Sequence, residues 1–131
     1  MDSAAPRPVV LLIDDQKDLR TLFRSLLEEE GFEVEVAANG EAGLAILRKG
    51  VVPKLILVDV LMPGMGGEEF IRVSLKEKLI KKDQTQLICF SSLDRESPQI
   101  QSILKWVDAC EQKPWGAEAF LKLVHKYLRQ H

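Results

Sequence analysis

Five strand-like segments, each followed by apolar residues at helical spacing, restrict this chain to few architectures. Val9 to Ile13 is a continuous apolar run. After it, Leu19, Leu22, Phe23, Leu26 and Leu27 share one helical face, and Gly31 supplies a stop. Phe32 to Val36 alternates apolar and acidic residues, as an edge strand does, and Asn39 is placed to cap a helix carrying Ala42, Ala45 and Ile46 before Gly50. Leu55 to Val58 is a third run, followed by a helix from about Glu68 bearing Phe70, Ile71, Ser74 and Leu75. Leu87 to Phe90 is the fourth, and Ile100, Ile103, Leu104 and Val107 predict a helix after it, starting near Pro98. A short fifth strand around Ala109-Cys110 leads to a closing helix through Phe120, Leu121, Val124 and Leu128. Strict alternation implies right-handed crossovers and a five-stranded parallel sheet with helices on both faces, in the order 2-1-3-4-5.

At 131 residues the chain fits one domain with a core of its own, and 46% apolar with 29% charged residues is the composition of a folded protein. Residues 1–8 are expected to form a short flexible tail and residues 9–131 the domain. A net charge of -2 with dispersed basic residues gives no nucleic-acid footprint. No run approaches the ~20 apolar residues of a membrane helix, and the opening residues lack the apolar stretch of a signal peptide, so a cytoplasmic location without membrane insertion is expected. Cys89 lies in an apolar run and Cys110 in a mixed segment, without CxxC spacing, so buried or partly buried thiols are expected rather than a redox pair. His125 and His131 have no zinc-ligand spacing.

The strands end in polar groups. Val9 to Ile13 runs into Asp14-Asp15, Leu55 to Val58 into Asp59, the fourth strand into Ser91-Ser92, and the fifth into Lys113-Pro114. In the expected order, strands one and three are neighbours where the winding reverses, so Asp14, Asp15 and Asp59 surround one crevice at the carboxyl edge. Three like charges there require raised pKa values or a cation. Mg²⁺ suits oxygen ligands, with Asp15 and Asp59 expected as direct ligands and Asp14 acting through water. Asp59 is then placed as a carboxylate nucleophile toward a phosphoryl donor, with Lys113 and Ser91 supplying a cation and a hydrogen-bond donor. A cis bond before Pro114 is one way to aim Lys113 inward. Gly64, Gly66 and Gly67 read as turn geometry rather than a phosphate-cradling loop.

Asp14-Asp15, Asp59-x-x-Met62-Pro63-Gly64 with Gly67, Ser91, and Lys113-Pro114, in that order, resemble a response-regulator receiver domain over nearly the whole chain. The resemblance implies a flavodoxin-like (βα)5 fold and Mg²⁺-dependent transfer of a phosphoryl group to Asp59 from a histidine kinase or phosphotransfer protein. It also implies a metal contact from the Leu61 backbone carbonyl. The chain would be a stand-alone receiver, a monomer or a phosphorylation-dependent dimer. It would catalyse only its own phosphorylation and dephosphorylation, and would engage a protein target through the face of helix four, strand five and helix five. Relay to another protein and phosphate sinking are equally compatible. Three positions depart from the commoner pattern. Cys110 stands where an aromatic residue often switches, Ser92 where a small apolar residue is usual, and the apolar Leu61 beside Asp59 is expected to restrict the attacking water. Trp106 lies off the stripe of helix four, as a partner anchor or as packing against strand five, and Trp115 is expected to pack beside the Lys113-Pro114 turn. Two other readings use the same residues. One is a Mg²⁺-dependent aspartyl-phosphate phosphohydrolase, although Leu61 stands where such enzymes carry a second acid. The other is a phosphorylation-independent adaptor with a vestigial site.

Overall fold

A computed structural model describes residues 7–114 and 116–128. The order along the chain is β1 (Val9–Ile13), α1 (Lys17–Glu29), β2 (Glu33–Ala37), α2 (Gly40–Arg48), β3 (Leu55–Asp59), α3 (Gly67–Lys76), β4 (Gln86–Ser91), α4 (Pro98–Gln101), β5 (Ala109–Gln112) and α5 (Ala117–Leu128). All strand pairings are parallel and the sheet order is β2-β1-β3-β4-β5, as the alternation predicts. The tail expected over residues 1–8 and the packing expected of Trp115 fall wholly or largely outside the described residues.

Because successive strand side chains point to opposite faces, each central strand feeds two cores. Leu11, Ile13, Ile56, Val58, Leu87 and Cys89 join Leu44 and Leu47 of α2, Phe70 and Ile71 of α3 and Ile100 of α4 on one face. Val10, Leu12, Leu55, Leu57, Ile88 and Phe90 join Phe23 and Leu27 of α1 and Phe120 and Val124 of α5 on the other. The Phe23 and Phe120 rings stack there at a centroid distance of 3.9 Å. β3 is buried along its whole length, as its unbroken apolar run requires. Local signals set the helix ends. Asn39 accepts from the Ala42 N–H at 2.8 Å, and Gly31, at φ +96°, turns the chain after α1.

Two expectations are corrected on the β4–β5 side. The predicted fourth helix ends at Gln101, and turns follow to Trp106, held by Ile103 N–H to Ile100 C=O (3.1 Å) and Trp106 N–H to Ile103 C=O (2.9 Å). Bonds over three residues tighten the backbone while Ile100 and Ile103 stay buried, so the apolar stripe records burial rather than a continuous α-helix. Cys89 and Cys110 are not free thiols. They are partners in the β4–β5 register and form a disulfide across 21 residues of chain, a pairing that parallel topology creates and local spacing does not announce. Among the described residues, no helix is long and apolar enough to cross a membrane.

Candidate functional site

Asp14 follows the last residue of β1, its backbone N–H donating to the Ala37 carbonyl at 3.0 Å, and Asp59 closes β3. The β1–β3 register sets Ile13 beside Val58, so the two carboxylates leave neighbouring strands at the same edge. Asp14, Asp15 and Asp59 each offer one oxygen, all within 4.8 Å of one another. Their settings differ: Asp14 is fully buried and Asp59 is 5% exposed, whereas Asp15 faces solvent.

Lys113 joins the two buried acids. Its Nζ donates to Asp59 Oδ2 at 2.9 Å and to Asp14 Oδ1 at 3.2 Å, and also to Gln16 Oε1. Asp14 Oδ2 is ion-paired with the same ammonium at 3.0 Å, outside hydrogen-bond geometry, so this buried carboxylate oxygen accepts no hydrogen bond. The Lys113–Pro114 bond is trans, so the cis expectation is corrected: there are no cis bonds among the described residues. The lysine is held instead by its N–H on the Ser91 carbonyl (2.8 Å), by its buried carboxylate partners, and by the Phe90 ring 5.5 Å beneath its ammonium.

Burial raises the Asp59 carboxyl above its ordinary range, and the Asp14 charge adds to this; the hydrogen bond and charge of Lys113 and the Leu61 N–H oppose it without cancelling it. For Lys113, burial disfavours the charged form, but its hydrogen bonds to Asp59 and Asp14 outweigh that and its pKa is raised. One buried cation facing two buried carboxylates and a third nearby leaves net negative charge. Together with an Asp14 Oδ2 that accepts no hydrogen bond, this all-oxygen donor set fits a hard divalent cation such as Mg²⁺.

The remaining expected residues lie close in the fold but differ in engagement. Ser91 is buried at the end of β4, and its Oγ accepts from the Leu93 N–H at 3.0 Å, leaving its own proton to donate. Leu61 donates its N–H to Asp59 Oδ1 at 3.3 Å, while its side chain is 47% exposed. Ser92 is exposed and Pro114 buried. Trp106 is half-buried against the α2–α3 side of the core, with the Lys105 ammonium 5.0 Å from its ring. Two contributors carried no sequence signal. Gln16 accepts from Lys113 and sends its backbone N–H to Asp14 Oδ1 (2.9 Å), and Arg20 ties down the Asp14 carbonyl at 2.8 Å. Both sit near the start of α1, where a polar residue reads as ordinary solvated surface.

The response regulator receiver domain profile matches residues 10–125. The chain is 33% identical over 121 residues to the transcriptional regulatory protein CpxR of Klebsiella pneumoniae. That alignment covers 92% of this chain and 49% of CpxR, so the chain spans about half of that relative's length. A CheY-like response regulator receiver domain protein from Methanospirillum hungatei superimposes with a TM-score of 0.79 at 25% identity, covering 95% of this chain and 96% of that one. The response regulator protein TrrA of Thermotoga maritima, in complex with Mg²⁺-BeF, superimposes with a TM-score of 0.73 at 28% identity, covering 91% and 97%.

Proposed function

This chain belongs to the response regulator receiver domain family, and on that premise we propose that Asp59 is its phosphoacceptor. The observation that carries the reading is Lys113 bridging Asp59 and Asp14, with Asp15 close by, at the carboxyl edge of the sheet. An Asp59 oxygen attacks the phosphorus of a phosphohistidine on a kinase or phosphotransfer protein. The P–N bond breaks and an acyl phosphate forms. Lys113 follows the new charge, and the Ser91 hydroxyl donates to it. Asp15, Asp59 and the Leu61 carbonyl would hold Mg²⁺, with Asp14, already engaged by Lys113 and the Gln16 N–H, acting through water. When bound, Mg²⁺ supplies the positive charge that lets carboxylates and phosphoryl oxygens share one crevice.

We assign output to the face of α4, β5 and α5. A cleft of about 460 Å³ between β5 and α5, lined by Lys113, Pro114, Leu123 and Lys126 among others, supports this because it adjoins the site lysine. On this reading the chain works in the cytoplasm, catalyses only its own phosphorylation and dephosphorylation, and switches protein interactions. Beryllofluoride followed by fluorine NMR tests the site. A protein-bound signal is expected only with Mg²⁺ present and is expected to vanish in Asp59→Ala. A bound signal that survives that substitution would remove Asp59 from the role.

A further inference from the structure

The Cys89–Cys110 bridge occupies a place where both redox states suit the fold. The two residues are register partners on adjacent strands with Cα atoms 4.6 Å apart. Neighbouring strands lie about 4.7–4.9 Å apart whether or not they are cross-linked, and disulfides accept Cα separations of about 4.4–6.8 Å. Opening the bond therefore does not require the strands to part. The two cysteines are buried to different extents. Cys89 is fully buried, whereas Cys110, 9% exposed on the edge strand, lines a cleft of about 170 Å³ with Leu93, Arg95, Ile100, Glu111 and Gln112. Arg95 donates to the Cys110 carbonyl at 3.3 Å, which sets a cation where an incoming thiolate would arrive.

The bridge also lies next to the functional site. Cys89 precedes Ser91 by two residues and Cys110 precedes Lys113 by three, and beyond the bridge the Lys113 N–H bonds the Ser91 carbonyl at 2.8 Å. Among the described residues β5 pairs only with β4, and the α4 helix leading to it has four residues, so the bridge is the covalent tie on a thinly supported edge. Disulfides in reducing compartments are usually transient or redox-sensing.

We propose that Cys89–Cys110 is a thiol–disulfide exchange site, opened at Cys110 by low-molecular-weight thiols and closed by their disulfides, whose closed form restrains β5 and with it Lys113. In opening, a thiolate attacks the Cys110 sulfur, the Cys110–Cys89 bond breaks, and the Cys89 thiolate leaves and takes up a proton. A second thiolate attacks the external sulfur of the mixed disulfide, forming the small disulfide and releasing Cys110 as a thiol. Two external thiols are oxidised and the protein disulfide is reduced; closing is the reverse. The restraint on Lys113 rests on the phosphoacceptor reading, whereas the exchange site does not.

The test equilibrates the full chain, without denaturant, in glutathione buffers of varied reduced-to-oxidised ratio, quenches with acid, alkylates and measures intact mass. Two alkyl groups are expected under reducing buffer and none under oxidising buffer, reversibly. Cys89→Ala is expected to trap glutathione on Cys110, and Cys110→Ser to trap none. A bond that opens only after unfolding, or thiols that stay free at every ratio, would overturn the site. For the restraint, phosphoryl uptake from an acyl phosphate donor with Mg²⁺ is expected to be about fivefold slower in the oxidised chain, a difference that Cys89→Ala abolishes. Equal rates would overturn the restraint. No uptake in either state would overturn the phosphoacceptor reading and the restraint together, while the mass result still decides the exchange site.

Discussion

Asp59 sits where its ionised form is disfavoured by burial and by Asp14, and favoured by Lys113, and burial prevails. A carboxyl whose pKa is raised by folding contributes stability below its unfolded value and loses it as pH rises through the folded value. The metal-free native chain should therefore be less stable at neutral pH than Asp59→Asn, by about 1 kcal/mol. The difference should fade in acid, below the ordinary carboxylate range, and Mg²⁺ should stabilise the native chain more than the variant. Thermal melts of both chains across pH, with chelator and with Mg²⁺, check this. An Asn variant that melts lower throughout would mean the Lys113 pairing outweighs burial. Asp14 and Asp59 were legible in the sequence because a charge ending an apolar run is a visible break in pattern, whereas Lys113, which follows Glu111-Gln112, was legible through the Lys113-Pro114 pair after the fifth strand. Gln16 and Arg20 were not, because their roles arise from side chains reaching across to another strand end.

Among the elements, the turn from β3 into α3 is the most tightly specified. A Cβ at Gly67 would lie 2.5 Å from the Asp59 carbonyl oxygen and 2.8 Å from Val60 Cα, both backbone atoms, and the Gly67 N–H already bonds the Val60 carbonyl at 3.0 Å. Gly67→Ala should therefore cost about 1–3 kcal/mol in denaturant unfolding and displace Asp59, lowering Mg²⁺ affinity as well. A variant with native stability and native Mg²⁺ affinity would show that the backbone yields freely. The reading of Gly67 as turn geometry came from its place after a strand and a Gly-rich stretch. The fourth helix was less legible. Its apolar stripe identifies which residues are buried, but a chain held by bonds over three residues buries Ile100 and Ile103 as well as an α-helix does. The cysteine pairing was invisible for a different reason: register between β4 and β5 follows from the assembled sheet, and a sequence separation of 21 carries no mark of it.

At the scale of the whole molecule, winding direction gathers the chemistry. From β1 the chain goes to β2 on one side, then crosses to β3 on the other, and this reversal opens the crevice at whose rim Asp14, Asp15 and Asp59 stand. β4 and β5 extend the same edge and deliver Ser91 and Lys113. The topology was legible because strand and helix periods alternate without interruption, and right-handed crossovers leave few ways to assemble them. Which partner would meet the α4–β5–α5 face proposed for output depends on a complementary surface and was not written in this chain's pattern. The central claim is tested most directly by intact mass after incubation with Mg²⁺ and an acyl phosphate donor, comparing the native chain with Asp59→Ala. A Mg²⁺-dependent gain of one phosphoryl group, absent in the variant, is the result expected; equal gain in both chains, or none in the native chain across several donors, would contradict it.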